Sequence, residues 1–138
     1  MERFAKIWAA TALALFFCLG ARAQEEGYDV FVPIAKYIRQ GDAAKLSVWF
    51  ADNLEVSILS DTNNASRNQA RQIVKAFFDN YTPRSFSVSH KASRPNMKYA
   101  LGTLNAGGEI FLVTIFVNYK GDGYQIQQLK IERQTAFY

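Results

Sequence analysis

The stretch "ASRNQARQIVKAFFDNY", residues 65–81, decides the fold. Ala70, Ile73, Val74, Phe77, Phe78 and Tyr81 recur at steps of three and four, the spacing of one face of an α-helix. Just before the stripe, Ser66-Arg67-Asn68-Gln69 has the form of a capping box. The serine hydroxyl and the glutamine side chain of such a box each satisfy a backbone N–H that the first helical turn leaves unpaired. The spacing therefore predicts a helix that opens at Ser66 and must seat an apolar face on something else.

What it seats on follows it in the chain. From Pro83 onward the pattern is strand: "RSFSVSH" (84–90), "KYALGTL" (98–104), "EIFLVTIFVNY" (109–119) and "YQIQQLKIE" (124–132). Asn105 to Gly108 and Lys120 to Gly123 carry the glycines that tight antiparallel connections need. "KASRPNM" reads as a longer basic loop. In the last strand Tyr124 and Ile126 share one parity while Leu129 and Ile131 share the other, so a bulge or sharp bend is predicted at Gln127-Gln128. Such a bend curls a sheet and leaves a concave side.

Two shorter helices precede the stripe. Phe31, Ile34, Ala35 and Ile38 mark the first, from about Val32, with Pro33 tolerated in its first turn. Gly41 stops it, and Asp42 is placed to cap a second, whose Leu46, Trp49 and Phe50 share a face. "NLEVSIL" (53–59) then alternates as a half-buried strand, which the polar run Ser60 to Ala65 is expected to end. Helices first and an antiparallel meander last make a layered α+β domain with the helices on one face of the sheet.

The first residues place positive charge at Arg3 and Lys6, run apolar from Ile7 to Leu19, and close on Ala21-Arg22-Ala23. This is the pattern of a cleavable secretory signal peptide over 1–23, leaving one domain over 24–138. The apolar run is short for a membrane span. Cys18 follows Phe17, where lipoprotein processing needs a small residue, so no lipobox is read, and the mature chain has no cysteine. Disulfides and thiolate chemistry are excluded with it. Arg3, Lys6, Arg22 and Glu2 leave with the leader, so thirteen basic residues face eleven acidic ones. That near balance gives no electrostatic footprint for nucleic acid. A periplasmic or secreted location follows, with no transmembrane span after cleavage.

The order of elements resembles the nuclear transport factor 2-like fold, a cystatin-like α+β cone. The resemblance implies N-terminal helices packed on the concave face of a strongly curved antiparallel sheet. More narrowly, "GDAAKLSVWFADNLEVSI", "SRNQARQIVKAFFDNY" and "YQIQQLKIE" resemble the secreted Bacteroidetes family called domain of unknown function 4783. That family offers no established reaction, and the wider fold holds enzymes and binding proteins alike.

His90 is the sole histidine. Strict alternation puts it with Phe86 and Val88 on one face and Ser85, Ser87 and Ser89 on the other, so it is expected to point inward, either as a structural histidine bonded to backbone or as a candidate acid or base. Tyr99 is the accompanying candidate donor, and Asp79 the nearest acid in sequence. Trp49, Phe50, Phe86, Tyr99, Phe116 and Tyr124 are the candidate cavity lining, several with a polar tip. One histidine with Asp52, Glu55 and Asp61 scattered along the chain makes no metal cluster. No glycine-rich phosphate loop or Gly-x-Ser-x-Gly elbow is present, so neither metal nor cofactor is expected.

In 109–119, Ile110, Leu112 and Phe116 lie on one face and Phe111, Val113, Ile115, Val117 and Tyr119 on the other. Helices cover one face, and the second calls for a neighbouring subunit, which suggests a homodimer through the outer sheet face. Lys91, Arg94 and Lys98 crowd one loop, which reads first as a solvated basic loop and, as the alternative, as a site for an anionic ligand or envelope surface. The expectation is a binding or interaction module of the cell envelope for a small apolar or amphipathic ligand or an envelope protein. The alternative is a small cofactor-free isomerase, dehydratase or hydrolase-like enzyme with its site in the cone.

Overall fold

The computed structural model describes residues 29–121 and 123–134, and the leader read over 1–23 lies outside them. The chain runs α1 (Phe31–Gln40), α2 (Ala43–Leu46), a 3-10 turn (Ser47–Trp49), β1 (Phe50–Ile58), β2 (Asp61–Ser66), α3 (Arg67–Asn80), β3 (Pro83–Arg94), β4 (Met97–Ala106), β5 (Glu109–Lys120) and β6 (Gly123–Arg133). The helix ends form as their residues dictate. Gly41 takes the left-handed conformation (φ 66°) and donates to the Ile38 carbonyl, while Asp42 N–H reaches Tyr37 O. This paired closure is how a C-terminal glycine satisfies carbonyls that the helix leaves open. Asp42 then accepts from Lys45 N–H at 3.0 Å to start α2. At α3 both halves of the capping box are made: Gln69 N–H to Ser66 Oγ at 3.2 Å, and Ser66 N–H to Gln69 Oε1 at 3.1 Å.

The six strands form one sheet in the order β2-β1-β6-β5-β4-β3. The expected all-antiparallel sheet is corrected here, because β1 and β6 pair in parallel while the other four neighbouring pairs are antiparallel. The physical reason is the route of the chain. The meander β3 to β6 brings the last strand back beside the first, running the same way. Parallel neighbours need such a long crossover.

Three further boundaries move. Phe50 begins β1 instead of closing the second helix. The polar run after Leu59 is itself a strand, β2, paired with β1 from Asn53↔Ser66 to Ile58↔Asp61. Its turn is Leu59-Ser60, both at positive φ (52° and 76°), a conformation usually given to glycine or asparagine. "KASRPNM" is mostly strand, since β3 and β4 stay paired out to Arg94↔Met97 and turn at Pro95-Asn96.

The helices cover one face of the sheet. From that face rise Phe111, Val113, Ile115 and Val117 of β5, Ile126, Leu129 and Ile131 of β6, Leu54 and Val56 of β1, and Leu104 of β4, all buried. Onto them α1 sets Phe31, Ile34 and Ile38, and α3 sets Ala70, Val74, Phe77 and Phe78. Ile73 and Tyr81, the flanks of the stripe, are partly buried against the same core. The Phe111 ring meets Phe77 and Tyr81 edge-on, each at 5.1 Å between centroids. Burying Phe77, Phe78 and Val74 stabilises the fold by roughly 1.5–3 kcal/mol each before chain entropy is set against it.

Gly102, in the middle of β4, marks a close approach. A Cβ there would lie 2.6 Å from Cζ of Phe86 and 2.8 Å from the Ser87 carbonyl. Two stability measurements follow. Phe77→Ala is expected to lose about 3–5 kcal/mol in chemical denaturation. Gly102→Ala, which overpacks instead of emptying the core, is expected to lose about 1–3 kcal/mol. Unchanged midpoints would place neither residue in the core.

Candidate functional site

His90 does not point inward, and the reason is a bulge. Val88 stands opposite Gly102 while His90 stands opposite Leu101, so β3 spends one extra residue, Ser89, between them. Ser89 Oγ donates to the Leu101 carbonyl at 3.1 Å. An added residue inverts every side chain beyond it. Phe86 and Val88 therefore face the helices, but past the bulge it is Lys91 and Ser93 that do so. His90 is exposed on the outer face. No glycine or proline announces this bulge in "SFSVSHK", and strict alternation misreads it.

Tyr99, opposite Ala92, lies on the same outer face as His90 and is partly exposed. Asp79 is on α3, across the sheet, bonded to Lys75 at 2.8 Å. The two catalytic candidates therefore share an open surface with each other and not a hollow with a carboxylate. Among the described residues no group of three histidine, cysteine or acidic side chains is arranged to hold a metal ion.

The proposed cavity lining is also dispersed. Phe50 and Phe86 are buried in the core, and Trp49 and Tyr124 lie partly buried against it. Tyr99 and Phe116, opposite each other, are on the outer face. The space between helices and sheet is filled by Phe50, Phe111, Ile34, Ile38, Leu46 and Ile115, each essentially inaccessible. Concave features sit at the surface. One of about 570 Å³ lies between Gly41–Ala44 and the Arg71, Lys75 and Asp79 side of α3. Another, of about 440 Å³, lies between α1 and β3.

The break in alternation predicted at Gln127-Gln128 is present. The β5–β6 register shifts between Phe116↔Gln128 and Val117↔Ile126, leaving Gln127 as the extra residue. The bulge keeps Tyr124 and Ile126 on the helix side together with Leu129 and Ile131. It also turns Gln128 outward, where its amide donates to Glu55 of β1.

What remains uncovered is the outer face. There β5 presents Ile110, Leu112, Thr114 and Phe116, and β4 presents Met97, Tyr99, Leu101 and Thr103. The described helices bury their apolar residues on the other side of the sheet, and Ile110 is 40% exposed. The apolar centre is bordered by groups of both signs on β6 and β1: Lys130 paired with Glu132 at 3.2 Å, and Glu55. Sequence reading found this face from the two-sided apolar pattern of β5 alone.

One carboxylate stands out electrically. Burial works to raise the Asp29 carboxyl, but hydrogen bonds from Lys91 and the Phe31 N–H, with the charges of Lys91 and Lys98, outweigh it and hold the group below its ordinary value. At the opposite end of the sheet Arg133 ties Glu109 at 2.9 Å and the Tyr81 hydroxyl at 2.8 Å, fastening the end of α3 to β5 and β6. No helix among the described residues is long and apolar enough to cross a membrane.

Known proteins share this arrangement. A family protein of domain of unknown function DUF4783 from Bacteroides uniformis superposes with a TM-score of 0.75 at 23% identity, over 78% of this chain and 100% of that one. The nuclear transport factor 2-like design Rd1NTF2_05, in a substituted form, gives 0.63 at 14% identity over 80% and 98%. A domain of unknown function with a cystatin-like fold from Nostoc punctiforme gives 0.62 at 12% over 77% and 74%. Likeness at these identities carries the fold alone, a nuclear transport factor 2-like α+β architecture. No curated protein matches the chain. The profile of one family, domain of unknown function DUF4783, matches residues 31–132, and the chain belongs to that family.

Proposed function

We propose that the mature chain, from Gln24 onward, is an exported interaction module of the cell envelope that pairs with a second copy of itself through the outer face of its sheet. One observation carries this reading. Strand β5 is apolar on both sides, and only the side bearing Phe111, Val113, Ile115 and Val117 is buried beneath helices. On the other side Ile110 is exposed, and Leu112, Phe116, Tyr99 and Leu101 beside it are half-buried, with no described helix packed over them. Contiguous apolar surface of this kind marks interaction sites.

A second copy suits the face in extent and in charge. Five strands from β1 to β3, at about 4.8 Å spacing and about 3.3 Å per residue over ten residues, present roughly 800 Å². That is about the area each partner contributes to a standard interface. A two-fold axis sets the same patch against itself, so the border must carry both signs to avoid repulsion. Lys130, Glu132 and Glu55 supply them. The exposed place of His90 and the filled space under the helices give the enzyme alternative no geometric support.

Sedimentation of the purified mature chain tests the pairing. Twice the chain mass is expected across the micromolar range. Phe116→Asp and Leu112→Asp are each expected to shift the protein to monomer with its far-ultraviolet spectrum and melting transition retained. A clean monomer at the highest concentration would overturn the reading.

A further inference from the structure

We propose that the cleft between α1 and β3 binds a small amphiphilic anion, an aliphatic chain ending in a carboxylate or phosphate. This site lies on the helix side of the sheet and is independent of the outer face. Its volume, about 440 Å³, falls in the range of small-molecule sites. A second cleft of about 200 Å³ adjoins it through shared walls at Asp29, Phe31 and Lys91 and adds Lys98.

Chemistry divides the lining in two. Phe31, Phe86 and Val88 form an apolar floor, and Val32, 65% exposed, continues it along α1. Lys36 and Arg39, one turn apart on α1, and Lys91 from β3 line the same cleft. Among the described residues Lys36 and Arg39 form no ion pair, and Lys91 binds Asp29. Three cations and one carboxylate line the larger cleft, so it carries a positive field beside an apolar surface.

Lys91 reaches the cleft only because of the Ser89 bulge. Unbroken alternation would aim His90 at α1 and Lys91 at water. The bulge therefore places a permanent cation where the sequence pattern puts an imidazole. Asp29 already behaves as a bound anion does: Lys91 and the Phe31 N–H hydrogen-bond it, and its carboxyl is held ionised below the usual range. An incoming head group competes with Asp29 for Lys91 and gains Lys36 and Arg39, forming charge-assisted hydrogen bonds. Its aliphatic body covers Val32, Val88 and the edge of Phe31. An extended acidic peptide fits less well, because the bulge interrupts the free edge of β3 on which a strand would have to be added. A planar membrane surface cannot follow a groove between a helix and a strand.

The test is titration of the mature chain, followed by calorimetry and amide NMR shifts, with butanoate, hexanoate, octanoate, octyl phosphate, octanol, inorganic phosphate, a hexaglutamate peptide and phosphatidylglycerol vesicles. Affinity is expected to rise roughly fourfold per added methylene while the floor is being covered. Octanoate and octyl phosphate should perturb Val32, Lys36, Val88 and Lys91, with octanol and inorganic phosphate at least tenfold weaker. Lys36→Gln with Arg39→Gln should weaken octanoate at least fivefold, and Asp29→Asn should tighten it by releasing Lys91. Arg94→Gln, on the opposite face, should change nothing. Asp29 also accepts the Phe31 N–H at the start of α1, so if its variant fails to fold, the exposed Lys36 and Arg39 pair carries the test. Octanol binding as tightly as octanoate, equal weakening by Arg94→Gln, or tighter binding of the peptide or the vesicles would each overturn the proposal.

Discussion

The seat of Phe77 and Tyr81 on Phe111, at the inner face of β5, is the contact on which the rest of the molecule depends. Phe111 lies at the centre, with Phe77 and Tyr81 around its ring and Phe78 beside Phe77. The helix arrives there because Ser66 and Gln69 fix its first turn directly after β2. Once α3 is seated, α1 and α2 close the same side of the sheet, and the space between the layers is filled by side chains. That filling has a functional consequence. A family that shares its architecture with proteins of many activities is represented here by a chain whose unsatisfied surfaces are outside the core.

Two single-residue insertions then decide which chemistry each surface carries. At Gln127 the extra residue keeps four apolar side chains of β6 on the helix side and sends Gln128 out to Glu55. At Ser89 the extra residue exchanges His90 for Lys91 on the helix side. Neither bulge changes the composition of its strand. Each changes what the neighbouring face presents, in one case by preserving the core and in the other by making a cationic cleft against α1.

Legibility in the sequence followed the strength of the local physics. The capping box, the Gly41 stop, the Asp42 cap and the 70–81 stripe were readable because each is a local rule with a residue signature. So was the Gln127 bulge, because apolar side chains on both sides of it reveal the change of parity. The Ser89 bulge was not, since Ser89, His90, Lys91 and Ala92 offer no apolar parity to compare. Strand β2 was hidden for a related reason: it is polar, and its turn uses Leu59 and Ser60 where glycine or asparagine would have announced a hairpin. The parallel β1–β6 pairing is a property of topology, and no spacing within either strand encodes it. Of the candidate site, the outer face was legible from β5, whereas the cleft at Lys91 required the register.

The central claim is that the covered side of this sheet is complete within one chain and the bare side is completed by another. Isotope-filtered NMR on a mixture of labelled and unlabelled copies observes that directly. The account predicts intermolecular contacts from the Leu101 and Leu112 methyl groups to the Tyr99 and Phe116 rings, and none to Phe77 or Val74. Contacts confined to the edge of β3 or to α3, with the β4 and β5 outer side chains silent, would contradict it.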